Sequence, residues 1–163
     1  MKKQHTIYAA TMVMILAAQT MRAATIYYSL NPYGAVLVAK STSGVGNAPT
    51  AWTVVPETQQ FDLTSFTAAK DTTVARFSAE SLCYGPANSS CEVRIVTSSG
   101  VVLGSFAYFA QGDTNHWYSS NIIERSIAGP VGGSIRIEYR VTDPSVTFQI
   151  PSWHFTIEVK KGQ

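Results

Sequence analysis

Apolar and polar residues alternate along most of the chain after residue 24, a period of two that is typical of strands with one buried face. The alternation is clearest in SIRIEYRV (134–141) and WHFTIEVK (153–160), with VTFQI (146–150) between them. The dipeptides Asp143-Pro144 and Pro151-Ser152 have turn chemistry and separate these segments. Three consecutive strands are therefore predicted in this region.

Six further candidate strands precede them, separated by Gly-, Pro-, Asn- and Ser-rich stretches. They are 26–30, 35–39, 52–55, 74–82, 91–97 and 101–109. Only 64–69 and 120–125 read as short helical turns. This spacing of short strands predicts an all-β fold, a single antiparallel β-sandwich of the jelly-roll or immunoglobulin-like type.

The first 23 residues have the features of a secretory signal peptide. Lys2 and Lys3 precede an apolar stretch at 7–18, and small residues follow at Ala23 and Ala24. We expect residues 24–163 to form one domain, without a membrane span after cleavage, in the periplasm, on the cell surface or outside a bacterium. An uncleaved membrane anchor is the alternative.

Loss of this segment changes the charge of the protein. It removes three of the twelve basic residues, leaving nine against ten acidic ones and a net charge near −1. No basic patch is left that would bind phosphate backbones, so a nucleic-acid partner is not expected. Charged residues make up only 13% of the chain, a composition that suits an extracellular β protein.

The two cysteines, Cys83 and Cys91, are predicted to form a disulfide. Their spacing does not fit a redox Cys-x-x-Cys motif, and zinc would need more ligands than lie nearby. Export to an oxidising compartment favours a disulfide instead. Strand parity directs both thiols inward and places Glu92 and Arg94 in water. The two strands could form a hairpin, with Glu80 opposite Arg94, or belong to opposite sheets.

The segment QGDTNHWYSSN, residues 111–121, is the most polar and aromatic stretch outside the predicted strands. An aromatic face can stack on the C–H groups of a sugar while amides and carboxylates bind its hydroxyls. We therefore predict a ligand site in this segment, with a capping role for Trp117 at the sandwich end as the alternative. The candidate ligand-binding residues are Asp113, Asn115, His116, Trp117, Tyr118 and Asn121.

Cofactors and catalysis have little support in the sequence. Asp113 and Asn115 have the spacing of calcium ligands, but two oxygens are too few without further donors, so no cofactor is expected and calcium is the alternative. The chain has no GxSxG, HExxH or Gly-rich phosphate loop. A non-enzymatic protein is therefore expected, with His154 on the solvent face of the last strand.

Two other segments are candidates for contact with partners. The tyrosine-rich segment 24–33 could pair with a neighbouring subunit by main-chain hydrogen bonds and so form a homo-oligomer, or it could be an ordinary edge strand. The loop 84–90 is stapled by the disulfide and exposes Tyr84, Pro86 and Asn88 to a partner. A rigid loop loses little entropy on binding.

The order of TTVARFSAESLC, CEVRIVTSSGVVLG, GGSIRIEYRV and WHFTIEVKK resembles that of exported bacterial jelly-roll β-sandwich domains. The resemblance covers about residues 72–161 and is one of architecture. It implies the fold and a binding role, and it assigns no site residues.

These observations favour an exported binding or adhesion module that recognises a glycan or another surface ligand through 111–121. A structural subunit of a pilus, fimbria or coat is the first alternative, although the C-terminal IEVKKGQ lacks the penultimate tyrosine that is usual in pilus subunits. A periplasmic hydrolase inhibitor that uses the loop 84–90 is the second.

Overall fold

The structure is a computed structural model that describes residues 25–31, 34–41, 48–59, 61–65, 67–105, 107–111 and 117–162. The candidate signal peptide, residues 1–23, lies outside these ranges. Within them, no helix has the length and apolar character that crossing a membrane requires.

The described residues form two antiparallel sheets. The strands are β1 (Thr25–Asn31), β2 (Gly34–Ser41), β3 (Thr53–Val54), β4 (Thr72–Tyr84), β5 (Ser90–Thr97), β6 (Ala107–Gln111), β7 (Tyr118–Ala128), β8 (Ile135–Val141) and β9 (Thr147–Lys160). The five-stranded sheet has the order β1-β2-β9-β4-β7, and the four-stranded sheet has the order β3-β8-β5-β6. From β2 onward every connection except β5–β6 crosses between the sheets, as in jelly rolls. The predicted antiparallel β-sandwich is confirmed.

The core lies between the two sheets and is built from alternate residues of the central strands. Phe77 of β4 packs against Trp153 and Phe155 of β9, with ring centroids 6.1 and 6.4 Å apart. Residues of β5 and β8 close the core from the other sheet. Those that are fully buried there are Val93, Ile95, Ile135 and Ile137. Alternation of this kind places one face of each sheet in the core and leaves the other face outside.

Strand β9 corrects the sequence prediction, which separated 146–150 from 153–160. The chain continues as one strand through Pro151 and Ser152, with a bulge where β4 advances from Glu80 to Leu82 while β9 passes from Gln149 to Ser152. A bulge adds one residue to one strand, and it accommodates a proline because the pairing is already interrupted there. The extra residue keeps the apolar side chains before and after the bulge on the same buried face.

Strand β7 is the second correction, because 120–125 was predicted as a helical turn. In this strand Ile123 is 2% exposed whereas Ile122 is 62% exposed. An edge strand with few buried positions shows no clear period of two, so its sequence did not reveal it. In the other predicted turn, 64–69, the Thr67 amide donates to the Leu63 carbonyl (3.2 Å), and the described residues of the segment form no helix.

The predicted Cys83–Cys91 disulfide is present, and it joins the two sheets. Cys83 lies near the end of β4 and Cys91 near the start of β5, with their Cα atoms 6.0 Å apart. The hairpin alternative, with Glu80 opposite Arg94, is wrong. Arg94 lies opposite Glu138 of β8, in the sheet across the core. The bridge therefore ties the sheets together at one end of the sandwich.

A buried carboxylate fixes the opposite end. The side chain of Asp71 is 4% exposed and accepts hydrogen bonds from Lys161 Nζ (2.8 Å), the Ala68 amide (2.8 Å) and the Gly162 amide (3.1 Å). The hydrogen bond from Lys161 lowers the pKa of Asp71 below its ordinary value, outweighing the effect of burial. Asp71 thus connects the residues after β9 to the segment before β4.

Removal of the inter-sheet disulfide should lower the stability of the sandwich. The chain-entropy model for a loop of this length gives about 2–3 kcal/mol for the Cys83→Ala/Cys91→Ala variant. Urea unfolding of the variant and of the oxidised parent measures the difference, and reduction of the parent should reproduce it. Equal unfolding midpoints and slopes would show that the bridge does not constrain the unfolded chain.

The Asp71 contact should make stability depend on acid pH. Since the folded-state pKa is lowered, the contribution is complete above the unfolded value, about pH 4, and is lost as pH falls through the folded-state pKa. Free energies of unfolding measured from pH 5 to 2 should therefore fall less steeply in Asp71→Asn than in the parent. Lys161→Met should also flatten the curve, and parallel curves for all three proteins would contradict this role.

Candidate functional site

Large apolar side chains are concentrated at one exposed place on the surface. Among the residues whose side-chain burial is described, 48–59, 61–65, 67–105 and 117–162, four large apolar side chains are exposed, and three of them lie just before or near the start of β7. Trp117 is 76% exposed, Ile122 is 62% exposed and Tyr118 is 49% exposed. The fourth, Val101, lies in the segment between β5 and β6. Scattered apolar residues are normal on a surface, whereas neighbouring ones make this region the candidate interaction site.

The register of the sheet places Tyr118 beside residues of two other strands. Tyr118 lies opposite Leu82 of β4, which lies opposite Gln149 of β9. The Tyr118 hydroxyl donates a hydrogen bond to Gln149 Oε1 (3.4 Å). Leu82 is 5% exposed although it lies on the outer face of the sheet, with Tyr118 and Gln149 on either side. The tyrosine ring is thereby held against the sheet.

In the next two rows of the same face, small serine side chains alternate with larger ones. Glu80 lies between Ser120 and Ser152, and Ser78 lies between Ile122 and His154. Glu80, Ile122 and His154 are exposed. We name this surface the outer-face patch. It consists of Tyr118, Ile122, Glu80, Gln149 and His154, with the serines between them.

The structure separates the described members of the predicted site. Tyr118 belongs to the outer-face patch, and Trp117 is next to it in the chain. Asn121 lies on the opposite face of β7, where its Nδ2 donates to Ser119 Oγ (2.8 Å) and to Ser81 Oγ (3.1 Å). Its amide is therefore engaged within the protein.

The other predicted site residues, Asp113, Asn115 and His116, lie outside the described residues. The segment 111–121 was predicted to lie outside the strands, and this is wrong at both ends. Gln111 is the last residue of β6, and β7 begins at Tyr118. Among the described residues, no three His, Cys, Asp or Glu side chains are grouped to hold a metal ion.

The sequence alone does not identify Ile122, Glu80 and Gln149 as site residues, and it does not show which residues lie beside His154. Alternation along one strand shows which face a residue occupies. It does not show which residue of another strand lies beside it, because that depends on register. The signal that could have drawn attention to this surface is Ile122. It is apolar, but alternation along the strand places it on the same face as exposed residues.

The stapled loop, predicted as a partner contact, is a short turn packed against the body of the protein. Pro86 and Asn88 are exposed, and Tyr84 is half-buried at the end of β4. Asn88 adopts a φ of 74°, a left-handed conformation that asparagine tolerates better than most residues. Gly85 approaches Val146 so closely that a Cβ on this residue would lie 2.7 Å from Val146 Cγ2. The exposed tip is therefore small.

The outer face of the four-stranded sheet is chemically different from the outer-face patch. Glu138 accepts hydrogen bonds from Arg94 Nε and Arg136 Nε, both at 2.8 Å, and Glu92 accepts one from Arg140 Nε at 2.7 Å. The side chains of Glu138 and Glu92 are only 7% and 3% exposed. The prediction that Glu92 lies in water is therefore wrong. Pairing with the Arg140 guanidinium explains how the carboxylate of Glu92 can be buried.

Two further contacts complete this charged face. The guanidinium carbons of Arg94 and Arg140 lie 4.2 and 4.5 Å from the centroid of the Trp52 ring, distances suited to cation–π attraction. Burial raises the pKa of Glu138, but the hydrogen bonds and charges of Arg136 and Arg94 outweigh it and leave that pKa below its ordinary value. The charges on this face satisfy one another, which indicates a structural role.

Solved structures with low sequence identity align with most of the chain. A CBM22-1 xylan-binding domain from Paenibacillus barcinonensis Xyn10C aligns over 86% of this chain and 82% of its own, with 10% identity and a TM-score of 0.30. A carbohydrate-binding module from Cellvibrio mixtus lichenase 5A, in complex with cellotriose, aligns over 86% and 88%, with 8% identity and a TM-score of 0.28. The apo CBM1 of BiXyn10A aligns over 86% and 92%, with 11% identity and a TM-score of 0.30.

No protein-family model matches the sequence, and no curated protein sequence matches it. Because the TM-scores are low, the fold is assigned from the strand pairing of this chain and not from these likenesses.

The two kinds of ion pair should differ in their effect on stability. Glu138→Gln removes the charge between two partly buried arginines and should lower the free energy of unfolding by about 2–3 kcal/mol. Glu124→Gln is the matched control, because the Arg76–Glu124 pair has side chains 52% and 48% exposed and should cost about 0.5 kcal/mol or less. Urea unfolding of both variants tests this. Equal losses would contradict a structural role for the charged face.

Proposed function

We propose that the protein is an exported, non-enzymatic binding module that recognises a glycan or another surface ligand through Trp117 and the outer-face patch. One observation carries the proposal. Burial is described for the side chains of 48–59, 61–65, 67–105 and 117–162, and three of the four exposed large apolar side chains in these ranges lie within six positions, at residues 117–122. Their exposure has a cost in water that a ligand would remove.

The chemistry around these side chains suits a polyhydroxylated ligand. The rings of Trp117 and Tyr118 offer flat apolar faces on which the C–H groups of a sugar can stack. Glu80 and Gln149 supply hydrogen-bond acceptors, and Gln149 and His154 supply donors. A few placed polar groups beside an aromatic platform give both affinity and orientation.

The position of these groups on paired strands favours binding. Tyr118, Glu80 and Gln149 lie on three adjacent strands of one sheet, so their spacing is set by main-chain pairing. The hydrogen bond between Tyr118 and Gln149 also restricts the ring before any ligand arrives. A site that is already ordered loses less conformational entropy when it binds.

The patch also contains a serine beside a histidine, a combination used in nucleophilic catalysis. Ser78 Oγ, however, donates to the main-chain carbonyl of His154, at 3.5 Å. The imidazole is therefore not the group that receives its hydrogen bond. This geometry favours binding over catalysis.

A pilus or coat subunit and a hydrolase inhibitor stay as alternatives, which no contact among the described residues favours.

The proposal predicts that binding depends on the two aromatic residues. A glycan array should identify a ligand for the protein lacking residues 1–23, and calorimetry should then show about 5- to 150-fold weaker binding by Trp117→Ala/Tyr118→Ala, since each stacked ring contributes about 0.5–1.5 kcal/mol. Val101→Ala is the matched control, because it removes an exposed apolar side chain elsewhere. Unchanged affinity in the double variant would rule out this site.

A further inference from the structure

Strand β7 ends the five-stranded sheet, and β4 is its only neighbour in the strand order of the described residues. An edge strand presents main-chain amide and carbonyl groups to which another strand can bind. Natural proteins usually protect such edges with charged side chains or covering loops. The two halves of β7 differ in this respect.

The C-terminal half of β7 is protected. Arg125 Nη1 donates to the Glu124 carbonyl (2.8 Å), and Nη2 donates to the Ser105 carbonyl (3.1 Å). The loop before β6 lies against the same side chain, since a Cβ added at Gly104 would come within 2.7 Å of Arg125 Nε. The side chain of Glu124 pairs with Arg76. A new strand would have to displace the Arg125 contacts.

In the N-terminal half, residues 118–123, no contact of this kind is made by the part of the chain that the structure describes. It carries no charged residue, and two of its side chains, Tyr118 and Ile122, are large, apolar and exposed. We propose that this half-strand pairs antiparallel with the same half-strand of a second copy of the chain, about a two-fold axis at Ser120.

The sequence is self-complementary in this register. Tyr118 lies opposite Ile122 of the partner subunit, Ser119 lies opposite Asn121 of the partner subunit, and Ser120 lies opposite its own copy. Directly opposite residues share a face, so two aromatic–β-branched pairs form on the outer face, the kind of cross-strand pair that stabilises sheets. Polar residues face one another on the other side.

Other registers are less favourable. An axis at Ile122 places Tyr118 opposite a serine, and it brings Arg125 into the paired region. An axis at Glu124 places two carboxylates directly opposite each other, which is repulsive. Only an axis near Ser120 uses the unprotected half and leaves the Arg125 contacts intact.

The pairing would join the two five-stranded sheets and place both outer-face patches on one side of the assembly. Two ligand sites held side by side increase the avidity for a repeating polymer. The self-association does not depend on the proposed function, because its contacts are between Tyr118 and Ile122 of the two copies.

The area involved is small, so the test traps the contact covalently. Opposite residues of paired strands have Cβ atoms about 4.5–5.5 Å apart, which is near the separation that a disulfide requires. Ser120→Cys should therefore give a disulfide-linked dimer under mild oxidation, on non-reducing gels and by mass spectrometry. Ser126→Cys is the matched control, because it lies on the same face of β7 beyond Arg125 and should cross-link at least about tenfold more slowly.

A second variant tests the apolar contact. Adding Ile122→Lys to Ser120→Cys should slow cross-linking by at least about tenfold, because a lysine on an edge strand opposes pairing. Equal cross-linking at positions 120 and 126, or cross-linking that Ile122→Lys does not change, would overturn the inference. Glu80→Gln distinguishes the two proposals, since it should weaken ligand binding and leave cross-linking at position 120 unchanged.

Discussion

The pairing of β4 with β9 at the centre of the five-stranded sheet determines the rest of the structure. These strands place Phe77, Trp153 and Phe155 in the core. The bulge near Pro151 keeps the apolar side chains of β9 on both sides of it directed into that core. Because the inner face is fixed in this way, Glu80, Gln149 and His154 must occupy the outer face. The disulfide then ties the end of β4 to the opposite sheet.

The sandwich has two outer faces with different chemistry. On the four-stranded sheet, arginine and glutamate side chains pair with one another beneath Trp52, and the carboxylates are nearly buried. The face satisfies its own charges. On the five-stranded sheet, small serine side chains lie among Tyr118, Ile122, Glu80 and His154, which are exposed. A ligand or a second subunit would gain more from covering this face than from covering the charged one.

Strand alternation was enough to predict the sandwich. In its central strands every second residue faces the core, as Ile135 and Ile137 do, and these residues are buried. The disulfide followed from the compartment and from parity. The bulge at Pro151 was not predictable, since proline at that position also suits a turn. Prediction of the outer-face patch would have required the register of three strands, and alternation within one strand carries no information about register. Edge strand β7 was missed because so few of its residues are buried.

The most direct test of the outer-face binding site is an NMR titration of the isotope-labelled protein, lacking residues 1–23, with a glycan that binds it. We expect the backbone amide shifts to concentrate at Tyr118, Glu80, Gln149 and their cross-strand neighbours, on three strands of one sheet. Shifts concentrated instead at the stapled turn around Pro86, or on the charged face around Trp52, would contradict it.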